Sequence, residues 1–100
     1  MRNIKITNNI VISENTSPLI IAEISANHCG SKKAFLKHIK TASSSGADLV
    51  KIQTYEPVDI TIKSRKNEFL IKKGIWKKSF LWNLYSKTYT PFAWHKTPLD

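Results

Sequence analysis

The chain has 100 residues, of which 41% are hydrophobic and 23% charged, a composition that allows one small globular domain and argues against global disorder. The formal net charge is +9, and the basic excess lies mainly in residues 51–100, so nucleic acid, an anionic membrane and a phosphorylated metabolite all remain open as partners. Cys29 is the only cysteine, which excludes an internal disulfide and a cysteine-rich metal cluster. Because there is no signal-peptide core and no apolar run near the roughly 20 residues of a membrane span, we expect a cytoplasmic protein.

The first seventeen residues predict a β-hairpin and a linker. Two short β-branched runs within Asn3–Ser13 flank Asn8-Asn9, a pair that tolerates the positive φ of tight turns. Glu14–Pro18 is polar and ends in proline, as is typical of a linker. The predicted division is therefore hairpin and linker over residues 1–17 and an α/β domain over residues 18–100.

A strand, a helix and a second strand follow. Leu19–Ile24 is a nearly continuous apolar run, typical of a strand buried on both faces in a parallel sheet. Ser31 can cap a helix over Lys32–Ser45, and Gly46 supplies the left-handed residue that often ends a helix. Ala47–Thr54 predicts the second strand. This order indicates a βαβ unit, in which the two strands are parallel.

The basic second half has weaker patterns. Pro57–Arg65 indicates a loop and Ser79–Lys87 a short helix, and Pro91 indicates a turn before another helix begins. Aromatic residues interleaved with lysines suit binding of single-stranded nucleic acid. However, an apolar residue recurs every fourth position in this region, at Trp76, Phe80 and Leu84. We therefore favour a buried helical face over a nucleic-acid platform.

Polar side chains collect near the carboxyl ends of the two predicted strands. Strand alternation places Glu23 on one face of the first strand, and Lys51 and Gln53 on one face of the second. Sites in α/β folds form at these strand ends. Lys51 suits a phosphate or carboxylate, Glu23 a proton transfer or a sugar hydroxyl, and Gln53 a hydroxyl. The alternative is that Glu23 and Lys51 only neutralise each other between neighbouring strands.

The segment Asn27–Ser31 opens the predicted helix, so its backbone N–H groups face the same crevice. Asn27 and His28 are therefore candidate substrate contacts. His28 could serve as a ligand or a base, although a single histidine in such a loop more often anchors it by hydrogen bonds. Cys29 has no recognisable partner and is interpreted as incidental.

Two motifs resemble those of the sialic acid synthase family. Pro18–Ser31 (Pro-Leu-Ile-Ile-Ala-Glu-Ile-Ser-Ala-Asn-His-Cys-Gly-Ser) is similar to the family's first-strand motif, and Gly46–Tyr55 is similar to its second. Lys51–Tyr55 and Tyr89–His95 favour the pseudaminic acid branch, with N-acetylneuraminate and legionaminate synthases as alternatives. The likeness runs from about Pro18 to Lys96, and Thr97–Asp100 departs from it.

The resemblance implies a (β/α)₈ barrel, which takes about 250 residues. This chain would be its N-terminal portion, preceded by the hairpin and truncated after about two βα units. The implied reaction condenses phosphoenolpyruvate with a 2,4-diacetamido-trideoxy hexose to a nonulosonic acid and releases phosphate. Glu23 and Gln53 would contact the sugar, with Glu23 also in proton transfer, and Lys51 would contact phosphoenolpyruvate.

The resemblance further implies a divalent metal, Mn²⁺ or Mg²⁺, whose ligands are absent from this chain, and a homodimer of the full-length protein. Without those ligands, charge that develops in the transition state is left unstabilised. We therefore expect the chain to be inactive by itself.

Overall fold

The computed structural model of the chain describes residues 2–96, and the sequence departure at 97–100 lies outside the described residues. Two short 3₁₀ turns, Asn67–Phe69 and Phe92–Lys96, accompany the regular elements. In chain order the strands and α-helices are β1 (Ile4–Lys5), β2 (Val11–Ile12), β3 (Ile21–Ser25), α1 (Lys32–Ser44), β4 (Leu49–Ile52), α2 (Pro57–Ile60) and α3 (Leu81–Thr88).

The N-terminal hairpin forms as predicted. β1 and β2 are antiparallel, with Ile4 opposite Ile12. The backbones of Thr7 and Ile10 exchange hydrogen bonds of 3.3 and 3.4 Å, so the turn lies at Asn8 and Asn9 between them. Neither asparagine adopts the positive φ that the pair tolerates. The division into a hairpin of residues 1–17 and a separate domain of residues 18–100 stays a prediction.

The βαβ unit is also confirmed. β3 and β4 are parallel, with Ile21 opposite Leu49 and Glu23 opposite Lys51. Both strands are shorter than predicted, and a register shift between Glu23 and Ser25 interrupts the pairing. The strands are aligned at their start by Asp48, whose carboxylate accepts a 2.8 Å hydrogen bond from the backbone N–H of Ile20.

Helix α1 begins where its cap predicts. The Ser31 hydroxyl accepts a hydrogen bond of 3.2 Å from the backbone N–H of Ala34, which satisfies one of the unpaired donors of the first turn. The helix ends at Ser44, and Gly46 follows with a φ of +94°. α1 lies against both β3 and β4 and covers one face of the sheet. The other face of this sheet is open.

The core is small and lies between α1, the loop after β3 and the segment that contains α3. Within residues 2–96 the buried apolar side chains are Ile24, Phe35 and Tyr55, and the buried polar ones are His28 and Thr90. Phe35 is fully buried because α1 directs it toward the loop that follows β3. The opposite face of β3 remains in solvent, where Ile21 is 55% exposed.

Two predictions for the second half are wrong. The segment predicted as a loop contains the single-turn helix α2, because Pro57 suits a first helical turn and the Asp59 carboxylate accepts a 2.7 Å hydrogen bond from the Glu56 N–H. Trp76 is not on a helix, since α3 begins only at Leu81, and Trp76 is 48% exposed. A buried face at every fourth residue therefore does not extend back to Trp76.

The chain is extended rather than spherical. Its radius of gyration is 17.5 Å, against about 13 Å for a compact domain of this length. Residues 2–96 form two separate two-stranded sheets and no closed barrel. None of the helices in this range combines the length and apolar character that crossing a lipid bilayer requires.

Candidate functional site

Glu23 and Lys51 meet at the carboxyl ends of β3 and β4. They are direct register partners on adjacent parallel strands, and the Lys51 Nζ lies 2.7 Å from the Glu23 Oε2. The pair is on the open face of the sheet, with the Lys51 side chain 69% exposed and that of Glu23 38% exposed. The predicted juxtaposition therefore occurs, and the two side chains form an ion pair; their roles in binding or proton transfer stay predictions.

The Glu23 carboxylate is also held by the chain that follows it. Its Oε1 accepts hydrogen bonds from the Ser25 backbone N–H, at 3.0 Å, and from the Ser25 hydroxyl, at 3.1 Å. Ser25 has a φ of +50°, an unusual conformation for a residue with a side chain, and it is this bend that brings both donors back to Glu23. Backbone strain thus contributes to orienting the carboxylate.

The pKa of the Glu23 carboxyl is lowered below its usual value. The hydrogen bond from Lys51 is the largest cause, and the bonds from Ser25 act in the same direction against the opposing effect of partial burial. Glu23 is therefore ionised at neutral pH. It can accept hydrogen bonds from a sugar hydroxyl or accept a proton, but it is poorly suited to donate one.

Gln53 and Asn27 line a cavity of about 520 Å³ beside this ion pair. The cavity lies between the loop after β3 and the segment that contains α3, and its volume is within the range of small-molecule sites. Asn27 is anchored through its Nδ2, which donates a 2.8 Å hydrogen bond to the Ile24 carbonyl. Glu23, Lys51 and His28 are not among the residues that line it.

His28 lies beneath the loop and is 1% exposed. Its Nδ1 accepts a 2.9 Å hydrogen bond from the Gly30 backbone N–H, and its Nε2 lies 2.9 Å from the Thr90 hydroxyl oxygen. Because Nδ1 is an acceptor, Nε2 carries the proton and donates to Thr90. The ring packs edge-on against Phe35 and Trp94. This is the arrangement of a histidine that anchors its loop.

Burial lowers the pKa of His28 below its ordinary value of 6.5, and the charge of His38 acts in the same direction. The ring is therefore neutral at physiological pH. A neutral ring is the form that can accept from Gly30 and donate to Thr90 at the same time.

Two residues of this region were not identified from the sequence. Thr90 is fully buried and binds His28, which lies 62 positions earlier. The only sequence signal for it was its place in the Tyr89–His95 motif. Asp48 aligns β3 and β4 through Ile20, and its position as the second residue of the predicted strand Ala47–Thr54 was the available signal.

The described residues do not fit the divalent metal that the family resemblance implies. Within residues 2–96 there is no group of three or more His, Cys, Asp or Glu side chains that could hold a metal ion. His28 is committed to Gly30 and Thr90, and Glu23 is committed to Lys51 and Ser25. No catalytic step is therefore assigned to a metal held by this chain.

Comparison with known proteins agrees with the motifs. The NeuB family model matches residues 38–99. Two pseudaminic acid synthases of Campylobacter jejuni subsp. jejuni, from serotypes O:2 and O:23/36, are each 53% identical to the chain over 76 residues, which is 76% of this chain and 22% of each relative. A pseudaminic acid synthase of Helicobacter pylori is 41% identical over 78 residues, 78% of this chain and 23% of the relative. The chain thus spans less than a quarter of the length of these relatives, and it belongs to the NeuB family.

Proposed function

We propose that this chain provides the first two βα units of a (β/α)₈ barrel that carries out the pseudaminic acid synthase reaction, and that it is inactive alone. The observation that carries the proposal is the pairing of Glu23 with Lys51 at the carboxyl ends of adjacent parallel strands. Sites of α/β barrels form at this end of the strands. The relatives named pseudaminic acid synthase support the choice of reaction.

The proposed reaction joins C3 of phosphoenolpyruvate to the aldehyde carbon of an open-chain 2,4-diacetamido-trideoxy hexose. Water adds to C2 and phosphate leaves. We assign Lys51 to an anionic group of phosphoenolpyruvate, since its ammonium is a point charge on a side chain that is 69% exposed. Glu23 and Gln53 are assigned to the sugar, with Glu23 accepting a hydroxyl proton or a hydrogen bond because it is ionised.

The Glu23–Lys51 contact does not prevent these roles. Ion pairs exposed to solvent are worth only about 0–1 kcal/mol, so an incoming anion can replace Glu23 as the partner of Lys51 at little cost. Asn27 is proposed to contact the sugar from the cavity wall. For His28 we propose a positioning role, because its Nδ1 is bonded to Gly30 of the loop and its Nε2 to Thr90.

The finer features implied by the family resemblance are proposals of the same kind. They comprise a homodimeric whole protein in the cytoplasm, a divalent metal held by residues other than those described, and N-acetylneuraminate or legionaminate as alternative products. The basic residues of the second half are assigned to solvated surface rather than to nucleic acid.

The test is complementation. The chain is mixed with the part of the C. jejuni relative that lies beyond the matched region, and phosphate release and nonulosonic acid formation are measured. We expect activity from the mixture and none from either part. Glu23→Gln and Lys51→Ala should lower the activity by about 100-fold or more, the scale on which proton-transfer and anion-binding groups act. Lys33→Ala, at an exposed position of α1, is the matched control and should leave it unchanged.

A folded complex without activity would overturn the proposal. So would a Glu23→Gln complex as active as the Lys33→Ala complex. A chain that is active alone would refute the statement that it needs the rest of the barrel.

A further inference from the structure

A hairpin over residues 70–80, the basic hairpin, carries apolar side chains at its turn. Its two ends pair as an antiparallel bridge. Opposite the bridge, the Lys77 N–H donates a 3.2 Å hydrogen bond to the Gly74 carbonyl, which closes a tight turn. Ile75 and Trp76 are the two central residues of this turn. Backbone hydrogen bonds therefore define where their side chains lie.

The turn of the basic hairpin is open to solvent. Ile75 is 90% exposed, more than any other large apolar side chain in residues 2–96, and Trp76 is 48% exposed. The covered part of Trp76 lines the cavity beside Gln53, whereas Ile75 is not among the residues that line it. Ile75 therefore contributes little to the core or to the candidate site, and its side chain is available to a partner.

Two pairs of lysines flank this turn, one pair on each side, and all four side chains are exposed. The sequence contains no Asp or Glu from residue 69 to residue 96, and within residues 2–96 none of the four lysines forms an ion pair. An isolated exposed isoleucine is common on protein surfaces, but an apolar turn between four unpaired cations is a more specific combination. The four are Lys72, Lys73, Lys77 and Lys78.

An anionic lipid surface satisfies both features of the basic hairpin at once. Lysines attract anionic headgroups, while aliphatic and indole side chains enter the boundary between headgroups and acyl chains. Single-stranded nucleic acid would use the charges, but it binds by stacking its bases on exposed rings, and Ile75 has no ring. A folded acidic protein would need a preformed pocket for Ile75, whereas a fluid bilayer requires none. Charge complementarity and the aliphatic side chain together favour lipid.

We propose that the basic hairpin is a peripheral membrane-binding element, which inserts Ile75 and Trp76 into an anionic lipid surface while its four lysines contact the headgroups. The inference is separate from the proposed reaction, which is assigned to other residues. Each lysine near such a surface strengthens binding by about fivefold, and burial of the isoleucine strengthens it by about tenfold or more. Binding should weaken with salt, because the Debye length falls from about 10 Å at 0.1 M to about 3 Å at 1 M.

The test measures by co-sedimentation how the 100-residue chain partitions onto extruded vesicles. One set of vesicles is phosphatidylcholine alone, and the other contains one part phosphatidylglycerol to three parts phosphatidylcholine. We expect the chain to bind the anionic vesicles about 100-fold more tightly at about 0.1 M salt and to be released as the salt concentration rises. Tryptophan emission should shift to shorter wavelength on binding. Trp76→Phe should still bind but should lose most of that shift.

Two variants remove the charge and the apolar side chain separately. Exchange of all four hairpin lysines should lower the partition constant for anionic vesicles by about 100-fold or more, and Ile75→Asp should lower it by about tenfold or more. The fourfold variant combines Lys72→Gln, Lys73→Gln, Lys77→Gln and Lys78→Gln.

Each variant has a matched control elsewhere on the surface. A fourfold exchange of exposed α1 lysines removes the same net charge, and Val58→Asp places the same carboxylate at a 65% exposed position of α2. Both controls should stay within about threefold of the wild type, because charges away from the contact are screened. The α1 control combines Lys32→Gln, Lys33→Gln, Lys37→Gln and Lys40→Gln.

Circular dichroism verifies that each variant is folded, and Ile75→Ser replaces Ile75→Asp if the carboxylate disturbs the turn. Equal binding to the two kinds of vesicle, or a loss in the controls as large as in the hairpin variants, would overturn the inference. So would an emission shift that persists in Trp76→Phe, or binding to a single-stranded RNA oligomer without binding to anionic vesicles. Vesicle binding by a chain whose complemented enzyme is silent would refute the proposed function alone.

Discussion

Glu23 and His28 lie five residues apart and are held in opposite ways. Glu23 is at the surface, and its ionised form is stabilised by Lys51 and Ser25. His28 is buried, and its neutral form is required by the bonds to Gly30 and Thr90. One residue is therefore open to exchange of partners with a ligand, while the other maintains the shape of the loop between β3 and α1.

The burial of His28 predicts that the thermal stability of the chain falls as the pH is lowered. Its pKa in the folded state lies below the value of about 6.5 in the unfolded chain, so the unfolded state binds the proton more readily. The stability that depends on neutral His28 is complete above about pH 6.5 and is lost progressively as the pH falls toward the folded-state pKa. Melting curves recorded by circular dichroism from about pH 8 to pH 5.5 should show a falling Tm.

Two variants separate this effect from a general loss of packing. His28→Gln should lower the Tm at every pH, since a buried and doubly bonded ring is removed, and it should flatten the dependence on pH. Phe35→Leu disturbs the same ring cluster without removing a titrating group and should keep the dependence. A His28→Gln chain with the wild-type pH dependence would show that another group is responsible.

At the scale of the elements, β3 has one face under α1 and one face in solvent. Ile24 is 5% exposed, whereas Ile21, on the other face of the same strand, is 55% exposed. This difference explains how the strand can be nearly continuous in apolar residues while its site residues remain accessible. It also means that equal substitutions on the two faces should have unequal effects.

We predict that Ile24→Ala lowers the free energy of unfolding by about 2–5 kcal/mol, the cost of a buried aliphatic truncation. Ile21→Ala should change it by about 0.5 kcal/mol or less, because the side chain is already in water. Urea unfolding followed by circular dichroism at 222 nm compares the two. Similar losses would mean that both faces of β3 are covered in solution.

At the scale of the whole molecule, the chain buries little of its apolar surface. Its radius of gyration exceeds that of a compact domain, the β3–β4 sheet has only two strands, and Ile20 and Ile21 lie in solvent. These features are expected if the open face of β3 and β4 belongs inside a barrel whose other strands are not present in residues 2–96.

The extended shape predicts a small heat-capacity change on unfolding. That quantity follows the apolar surface exposed, and a compact domain of this length gives about 1.2–1.5 kcal/mol/K. Differential scanning calorimetry should give a clearly lower heat-capacity change for this chain. For the same reason, the free energy of unfolding should depend only weakly on the urea concentration. When the part of the C. jejuni relative beyond the matched region is added, the heat-capacity change of the mixture should exceed the sum of the changes measured for the two parts separately. A value in the compact range for the isolated chain would contradict the open structure.

The sequence by itself determined the local elements and the placement of Glu23 and Lys51 on neighbouring strands. The β-hairpin, the cap at Ser31, the parallel pairing of β3 with β4 and the shared face of Glu23 and Lys51 all follow from periodicity, capping and alternation, which act over a few residues. The family also followed from short motifs. By contrast, the sequence misplaced Trp76, because a recurrence every four residues does not show where a helix begins, and α3 begins only at Leu81.

Only the tertiary structure decided what His28, Trp76 and Asp48 do. The hydrogen bond between His28 and Thr90 joins residues 62 positions apart, and the hydrogen bond from the Ile20 N–H to the Asp48 carboxylate joins residues 28 positions apart. The exposure of Trp76 depends on which side chains the rest of the chain leaves uncovered. Such contacts depend on how separate elements pack, because burial and long-range hydrogen bonding are properties of the assembled chain and have no counterpart in local patterns.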